Sequence, residues 1–207
     1  MSCTANGVAD ALRAAAVVMA EHRVELIELD RAIGDGDHGE NMNRGFTAIV
    51  SSLDTMVPET PSAVLKLAAT MLISKVGGAA GPLYGTAFLR ASTAIESELD
   101  TAAVVAGLRA ALEGVQARGK AVEGDKTMVD ALIPAVAAAE QAAAEGADIA
   151  GVLTAASDAA GKGAESTVDL VARKGRASYL GERSAGHLDP GARSTALLLG
   201  ALAEAAR

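Results

Sequence analysis

The residues best suited to chemistry crowd into one stretch, DRAIGDGDHGENMNRGF at 30–46. Asp30, Asp35 and Asp37 place three carboxylates within eight residues, followed at once by His38 and Asn41. Without a cation, repulsion among them would splay the loop. Hard divalent cations take oxygen ligands, and Mg2+ commonly combines a few carboxylates with phosphate oxygens. Gly34, Gly36 and Gly39 would let the backbone fold around such ions. The plainer alternative is a solvated turn in which an Asp caps the next helix. An EF-hand does not fit, because its ligand order and terminal Glu are missing.

Three other glycine-rich stretches have unusual composition. VGGAAGPLYGT (76–86) offers bare backbone amides just ahead of a helical pattern, a place for phosphate oxygens. RGKAVEGDKT (118–127) ends in Asp125, Lys126 and Thr127. Either Asp125 or Thr127 can cap the next helix, and Lys126 can meet a phosphate or be solvated. RKGRASYLGERSAGHLDPGA (173–192) carries Arg173, Lys174, Arg176, Arg183 and His187 against Glu182 and Asp189, a basic segment on an acidic chain. Arg suits bidentate phosphate recognition, and connections this long are commonly functional. A fifth stretch, GVQARGKA (114–121), has P-loop spacing but ends in Ala121 where Ser or Thr would hold Mg2+. No strand precedes it and Gly114 falls inside a helical pattern, so a P-loop is rejected. A dinucleotide fingerprint needs a βαβ unit and fails too.

The elements that must position these loops read as helices. Ala is the best helix former, and Val104, Val105, Leu108, Leu112 and Val115 recur at helical spacing. Val64, Leu65, Leu67, Ala68, Met71 and Leu72 do the same after a start signal at Thr60-Pro61. No alternating β-branched run makes a convincing strand. The pattern predicts eight helices, at about 5–29, 41–54, 61–75, 84–97, 101–118, 127–144, 148–172 and 191–206. His22 is expected on an exposed face of the first. In an up-and-down bundle alternate loops share an end. The four glycine-rich loops follow helices 1, 3, 5 and 7, so they should converge on one site.

Composition narrows the function further. The chain has 207 residues, half of them apolar, enough for one domain with a sizeable core. Aromatics are 2 % and the formal charge is -8, which argues against nucleic acid as a partner. A single cysteine, Cys3, suits a reducing compartment. No apolar run is long enough to span a bilayer and no signal peptide is visible, so a cytoplasmic protein without membrane contact is expected. The loops together point to a Mg-nucleotide or other polyphosphate site at one end of a helical bundle.

The motifs GDGDHGENMNRGF, VGGAAGPLYGT, RGKAVEGDKTMVDALIP and RKGRASYLGERSAGHLDPGA resemble the nucleotide-binding L subunits of dihydroxyacetone kinases. The likeness is greatest to the stand-alone subunits of phosphoenolpyruvate-dependent bacterial systems and runs through the whole chain in order. It implies an all-α, eight-helix antiparallel up-and-down barrel, a single domain over 1–207, with ADP and two Mg2+ at one end. It further implies that the nucleotide stays bound as a coenzyme. A phosphohistidine on an M subunit converts ADP to ATP in place, and the phosphoryl then passes to dihydroxyacetone on a separate K subunit. By position, Asp30, Asp35 and Asp37 resemble the Mg2+ ligands. His38, Asn41, Ala79 and Ala80 match phosphate contacts, and Gly119 and Met128 the adenine pocket. Arg176 matches a basic nucleotide contact and possible charge stabiliser, and Asp189, Pro190 and Gly191 the final nucleotide-binding turn. No residue is implied as a nucleophile. Where relatives often read GGASGP, this chain has Ala80, so a hydroxyl donor is missing while the backbone amide remains. Alternatives are an ATP-dependent L subunit for another small ketose such as erythrulose, and a nucleotide-dependent protein that contacts a transcriptional regulator.

Overall fold

The structure, a computed structural model, describes residues 3–95 and 99–207. Among the described residues it is all-α. The helices are α1 (Ala5–Glu21), α2 (Arg23–Ile33), α3 (His38–Thr55), α4 (Pro61–Lys75), α5 (Ala80–Ala94), α6 (Thr101–Gly119), α7 (Met128–Ala144), α8 (Ile149–Ser166) and α9 (Pro190–Ala205). A 3-10 segment, Arg176–Ser184, interrupted at Gly181, lies in the last long connection. The only β pairing described is a single bridge between Cys3 and Leu99. No described helix is long and apolar enough to cross a membrane.

Local chemistry starts most of these helices. Thr4, Thr60, Asp100, Asp148 and Asp189 each accept a first-turn amide with the side chain, and Pro61 and Pro190 sit at N1. Thr127 and Asp130 form a reciprocal capping box on α7. This settles the choice in the third loop: Thr127 is the cap, while the Asp125 carboxylate accepts the Val122 amide at 2.9 Å. Helix α6 runs through Gly114 and closes on Lys120 in the left-handed region, so the P-loop look-alike is an ordinary helix end.

Packing follows chain order. α1 packs on α3, each helix from α3 onward packs on the next, and α9 returns against α1. Leu12, Met19, Leu26, Met42, Phe46, Ile49 and Leu72 are fully buried together in the larger core cluster. The α7, α8 and α9 side is built largely from Ala131, Ala135, Ala139, Ala156, Ala160, Ala192 and Ala196, which brings helix axes close. At the closest point Gly163 of α8 faces α7, where an added Cβ would lie 2.3 Å from the Asp130 carbonyl oxygen and 2.8 Å from Pro134 Cγ. Pro134 has no N–H to offer that carbonyl, so the approach comes where the α7 ladder is already broken.

Several boundaries differ from the sequence expectation. The first helix is divided at His22, which ends α1 and begins α2; its ring is partly buried and contacts Glu25. The buried positions 12, 19, 26 and 33 keep a seven-residue spacing through the break, so periodicity carries no sign of it. Helix α8 stops at Ser166 instead of 172 because the next carbonyls, of Thr167 and Val168, accept from the Lys126 ammonium. Helix α5 begins at Ala80, earlier than expected, and the expected end at 97 lies outside the described residues.

Gly163→Ala is expected to lose roughly 1–3 kcal/mol of stability despite the better helix propensity of Ala, because the obstructing atom is backbone. A urea midpoint no lower than wild type would contradict the tight α7–α8 contact.

Candidate nucleotide and metal site

The four loops meet. They line a pocket of about 350 Å³ formed by Asp30, Asp35, Asp37, His38, Asn41, Gly77–Ala80, Lys126–Met128, Lys174–Ala177 and Asp189–Gly191, with Ile33, Leu83, Tyr84 and Tyr179. The volume is in the range of small-molecule sites.

The acidic wall is organised by Asp30, in the last turn of α2. Its Oδ2 accepts the amides of Asp37 at 2.8 Å and His38 at 3.1 Å, which caps α3 from the preceding helix. Gly34 lies so close that a Cβ would meet Asp30 Oδ1 at 2.1 Å, and Gly36 turns the chain with φ +74°. This short turn brings one carboxylate oxygen each from Asp30, Asp35 and Asp37 within 4.8 Å of one another. The donor set is all hard oxygen and fits Mg2+ or a similar divalent cation. Asp30 thus caps α3 and also stands among the three oxygens that could hold a cation. Arg176 reaches across from the last loop and pairs with Asp35 at 2.9 Å.

Another part of the lining is backbone. Helix α5 starts at Ala80 behind Ala79 with no side-chain cap, so its first amides are free for an anion. Gly78 makes the turn with φ +62°, and Gly77 donates its amide to Asn41 Oδ1 at 3.3 Å. Asn41 also accepts from Arg44, so it ties α3 to this loop.

The floor is a buried hydrogen-bonded chain. His38 Nε2 contacts Ser194 Oγ at 2.8 Å, Ser194 Oγ contacts the Tyr84 hydroxyl at 2.7 Å, and Tyr84 contacts Thr195 Oγ1 at 2.9 Å. Tyr84, Ser194 and Thr195 hydroxyls all converge on the Gly191 carbonyl. Burial pulls the His38 pKa below its ordinary value, against the opposing charges of Asp30 and Asp37. Burial likewise pushes the Tyr84 phenol up to about 12. Beyond Tyr84 and Met128 lies a second cavity of about 190 Å³ inside the bundle, lined almost wholly by apolar side chains.

Asp189 caps α9 by accepting the Ala192 amide at 2.8 Å, and it is buried. Burial raises its pKa from 3.8 to about 7, although the Ala192 amide and Lys126 favour the charged form.

Of the residues that the resemblance matched to the site, Gly119 alone does not line the pocket, and Arg173, Arg183 and His187 of the basic loop lie outside it as well. Gly119 sits one layer back, where a Cβ would meet Leu83 Cδ2 at 3.2 Å, and Leu83 itself lines the site. Sequence reasoning missed Tyr84, Ser194, Thr195 and Leu83. Tyr84 had a usable signal: a tyrosine in an apolar helix needs a hydroxyl partner.

A protein-family model, the DAK2 domain, matches residues 32–204. The chain belongs to the DAK2 family. Among its relatives is the "PEP-dependent dihydroxyacetone kinase, ADP-binding subunit DhaL" of Escherichia coli, 46 % identical over 184 residues, covering 88 % of each chain. The "PTS-dependent dihydroxyacetone kinase, ADP-binding subunit DhaL" of Lactococcus lactis is 45 % identical over 185 residues, covering 89 % of this chain and 88 % of that one. The solved dihydroxyacetone kinase of C. freundii in complex with AMP-PNP and Mg2+ matches with a TM-score of 0.73 at 29 % identity. This DAK2 chain covers 95 % of itself in that match but spans only 33 % of the C. freundii chain.

The Asp189 proton has a measurable consequence in nucleotide-free protein. Between pH about 4 and 7 the folded state keeps a proton on Asp189 that the unfolded chain, titrating near 3.8, has lost. The stabilisation from this group is full below that window and is lost as pH rises through it, by at most about 1.4 kcal/mol per pH unit. Asp189→Asn keeps a capping oxygen and does not titrate. Its stability relative to wild type should therefore climb from pH 4.5 to 7, measured by urea unfolding at stepped pH. A flat difference would contradict the raised pKa.

Proposed function

We propose that this protein is the Mg-ADP-binding subunit of a multi-subunit dihydroxyacetone kinase. The observation that carries the proposal is the meeting, in one pocket, of three bunched carboxylates and the uncapped N-terminus of α5. The two walls suit opposite ends of a Mg-polyphosphate: oxygen ligands for the cations and N–H donors for the anion. Relatives 45–46 % identical and covered over 88 % of their own length are named as ADP-binding subunits, which supports this reading.

In this reading Asp30, Asp35 and Asp37 hold two Mg2+, whose +4 offsets the three carboxylates and leaves charge for the nucleotide. The amides of Ala79 and Ala80, with His38 and Asn41, receive the phosphates. Neutral His38 can hydrogen-bond a phosphate without adding charge, and its Ser194 contact fixes the ring. Arg176 exchanges its Asp35 partner for a phosphate oxygen. Met128 and Leu83, backed by Gly119, cover the base, and Asp189, Pro190 and Gly191 complete the turn beneath it. When bound, ADP serves as the phosphoryl carrier between a phosphohistidine of the M subunit and the hydroxyl of dihydroxyacetone on the K subunit. This chain's contribution is positioning and charge neutralisation, which is most of what phosphoryl transfer requires. We place the protein in the cytoplasm, in glycerol and triose metabolism, with its loop end also available to a transcriptional regulator.

Protein washed through gel filtration and then denatured should release close to one ADP per chain. Asp35→Asn and Asp37→Asn should release none and transfer no phosphoryl group, with unchanged helical circular dichroism. Normal turnover in either variant would remove the metal assignment. An empty wild type that exchanges ATP freely would favour a directly ATP-dependent kinase for another small ketose; a relative named "L-erythrulose kinase" from Pectobacterium atrosepticum is 37 % identical over 202 residues but covered over only 34 % of its length.

Ala80→Ser restores a hydroxyl at the phosphate loop. One added hydrogen bond of about 0.5–1.5 kcal/mol should slow ADP release roughly 2–10-fold in a fluorescent-nucleotide chase. Faster release would show that position 80 does not face phosphate.

A further inference from the structure

Lys126 belongs to neither alternative that its sequence position suggests. It is 1 % exposed, so it is not solvated. Its ammonium donates to the carbonyls of Thr167, Val168 and His187. An ammonium has three protons, and three carbonyls take them, which leaves no donor for a phosphate. The residue also holds φ at +61°, a region that side chains with a Cβ rarely adopt.

Those three carbonyls stand at the two roots of the segment 169–186. The roots are joined to each other by Gly186 N–H to Val168 O at 2.7 Å and Asp189 N–H to Thr167 Oγ1 at 3.0 Å. Lys126 ties both roots to the start of α7, helped by Arg173 N–H to Asp125 O at 3.1 Å. The tip of the same segment, Lys174 to Ala177 with Tyr179, lines the pocket and faces the acidic wall through Arg176 and Asp35. Its apolar anchoring is slight, a small cluster of Ile33, Ala172 and Ala177 with Leu180. Polar contacts at the roots must therefore do most of the holding. Burial lowers the Lys126 pKa, and the nearby Asp189 and Asp169 oppose that only in part.

We infer that Lys126 is a positioning residue that clamps the segment 169–186 over the site and thereby sets how long a nucleotide stays bound. The inference rests on the Mg-ADP reading above, and it concerns retention, not chemistry.

The test compares Lys126→Met, which keeps the stem and the backbone strain but removes the ammonium, with Lys126→Gly, which removes both. Leu53→Ala, a buried change in the last turn of α3, serves as a control for general destabilisation. Release of N-methylanthraniloyl-ADP in Mg2+, chased with excess ADP, should be at least about tenfold faster in both Lys126 variants. Association should change by less than about twofold. Limited proteolysis should cut first inside 169–186 in both, and in neither wild type nor Leu53→Ala. Unchanged release in Lys126→Met would overturn the clamp. So would an equal acceleration in Leu53→Ala, which would make the effect one of stability alone, or slow release retained in Lys126→Gly, which would make it one of strain. Failure of wild type to bind Mg-ADP would overturn the nucleotide reading instead, and the proteolysis pattern would still decide the clamp.

Discussion

The site depends on one carboxylate oxygen. Asp30 Oδ2 accepts two amides at the start of α3 from a position in the last turn of α2. That contact folds the acidic loop tightly enough to gather three negative charges, and it satisfies helix donors that would otherwise be orphaned. Its cost is electrostatic, since like charges are held together and Arg176 pairs with one of them, Asp35. In the proposed Mg-ADP state, what destabilises the loop alone would become the attraction for a divalent ion.

Around that wall the molecule commits polar groups to places where most helical proteins put apolar ones. His38, Tyr84, Ser194 and Thr195 are buried between α3, α5 and α9, and each finds a partner in the others or in the Gly191 carbonyl. A buried network of this kind is stabilising only when complete, and here no buried side-chain polar atom among the described residues lacks a partner. The network fixes the register of three helices at the floor of the pocket. Tyr84 lines both the polar site and the apolar cavity, and its hydroxyl is tied into this network.

Much of this was legible from the chain alone. Helical periodicity gave the all-α class and, to within a few residues, α4, α6, α7 and α9. The alternation of glycine-rich loops predicted their meeting at one end, and the pocket contains residues from all of them. Where the reading failed, the cause was an interaction remote in sequence or invisible to periodicity. The break at His22 keeps the apolar phase on both sides. The end of α8 is decided by an ammonium 41 residues away. Gly119 fell one layer behind the pocket because motif position specifies neighbourhood, not which atom faces the cavity.

By itself, then, the sequence determined which residues could do chemistry, that they sit in loops, and that those loops alternate along a run of amphipathic helices. Such properties are local: residue type, spacing and helix period need no knowledge of partners. Only the tertiary structure decided the division of labour among the polar residues. It made Thr127 the cap, Asp125 a turn acceptor, Lys126 a buried clamp and Asp30 both cap and candidate ligand. Each role follows from which donor or acceptor arrives from a distant segment, and a hydrogen bond between residues far apart in the chain leaves no periodic trace.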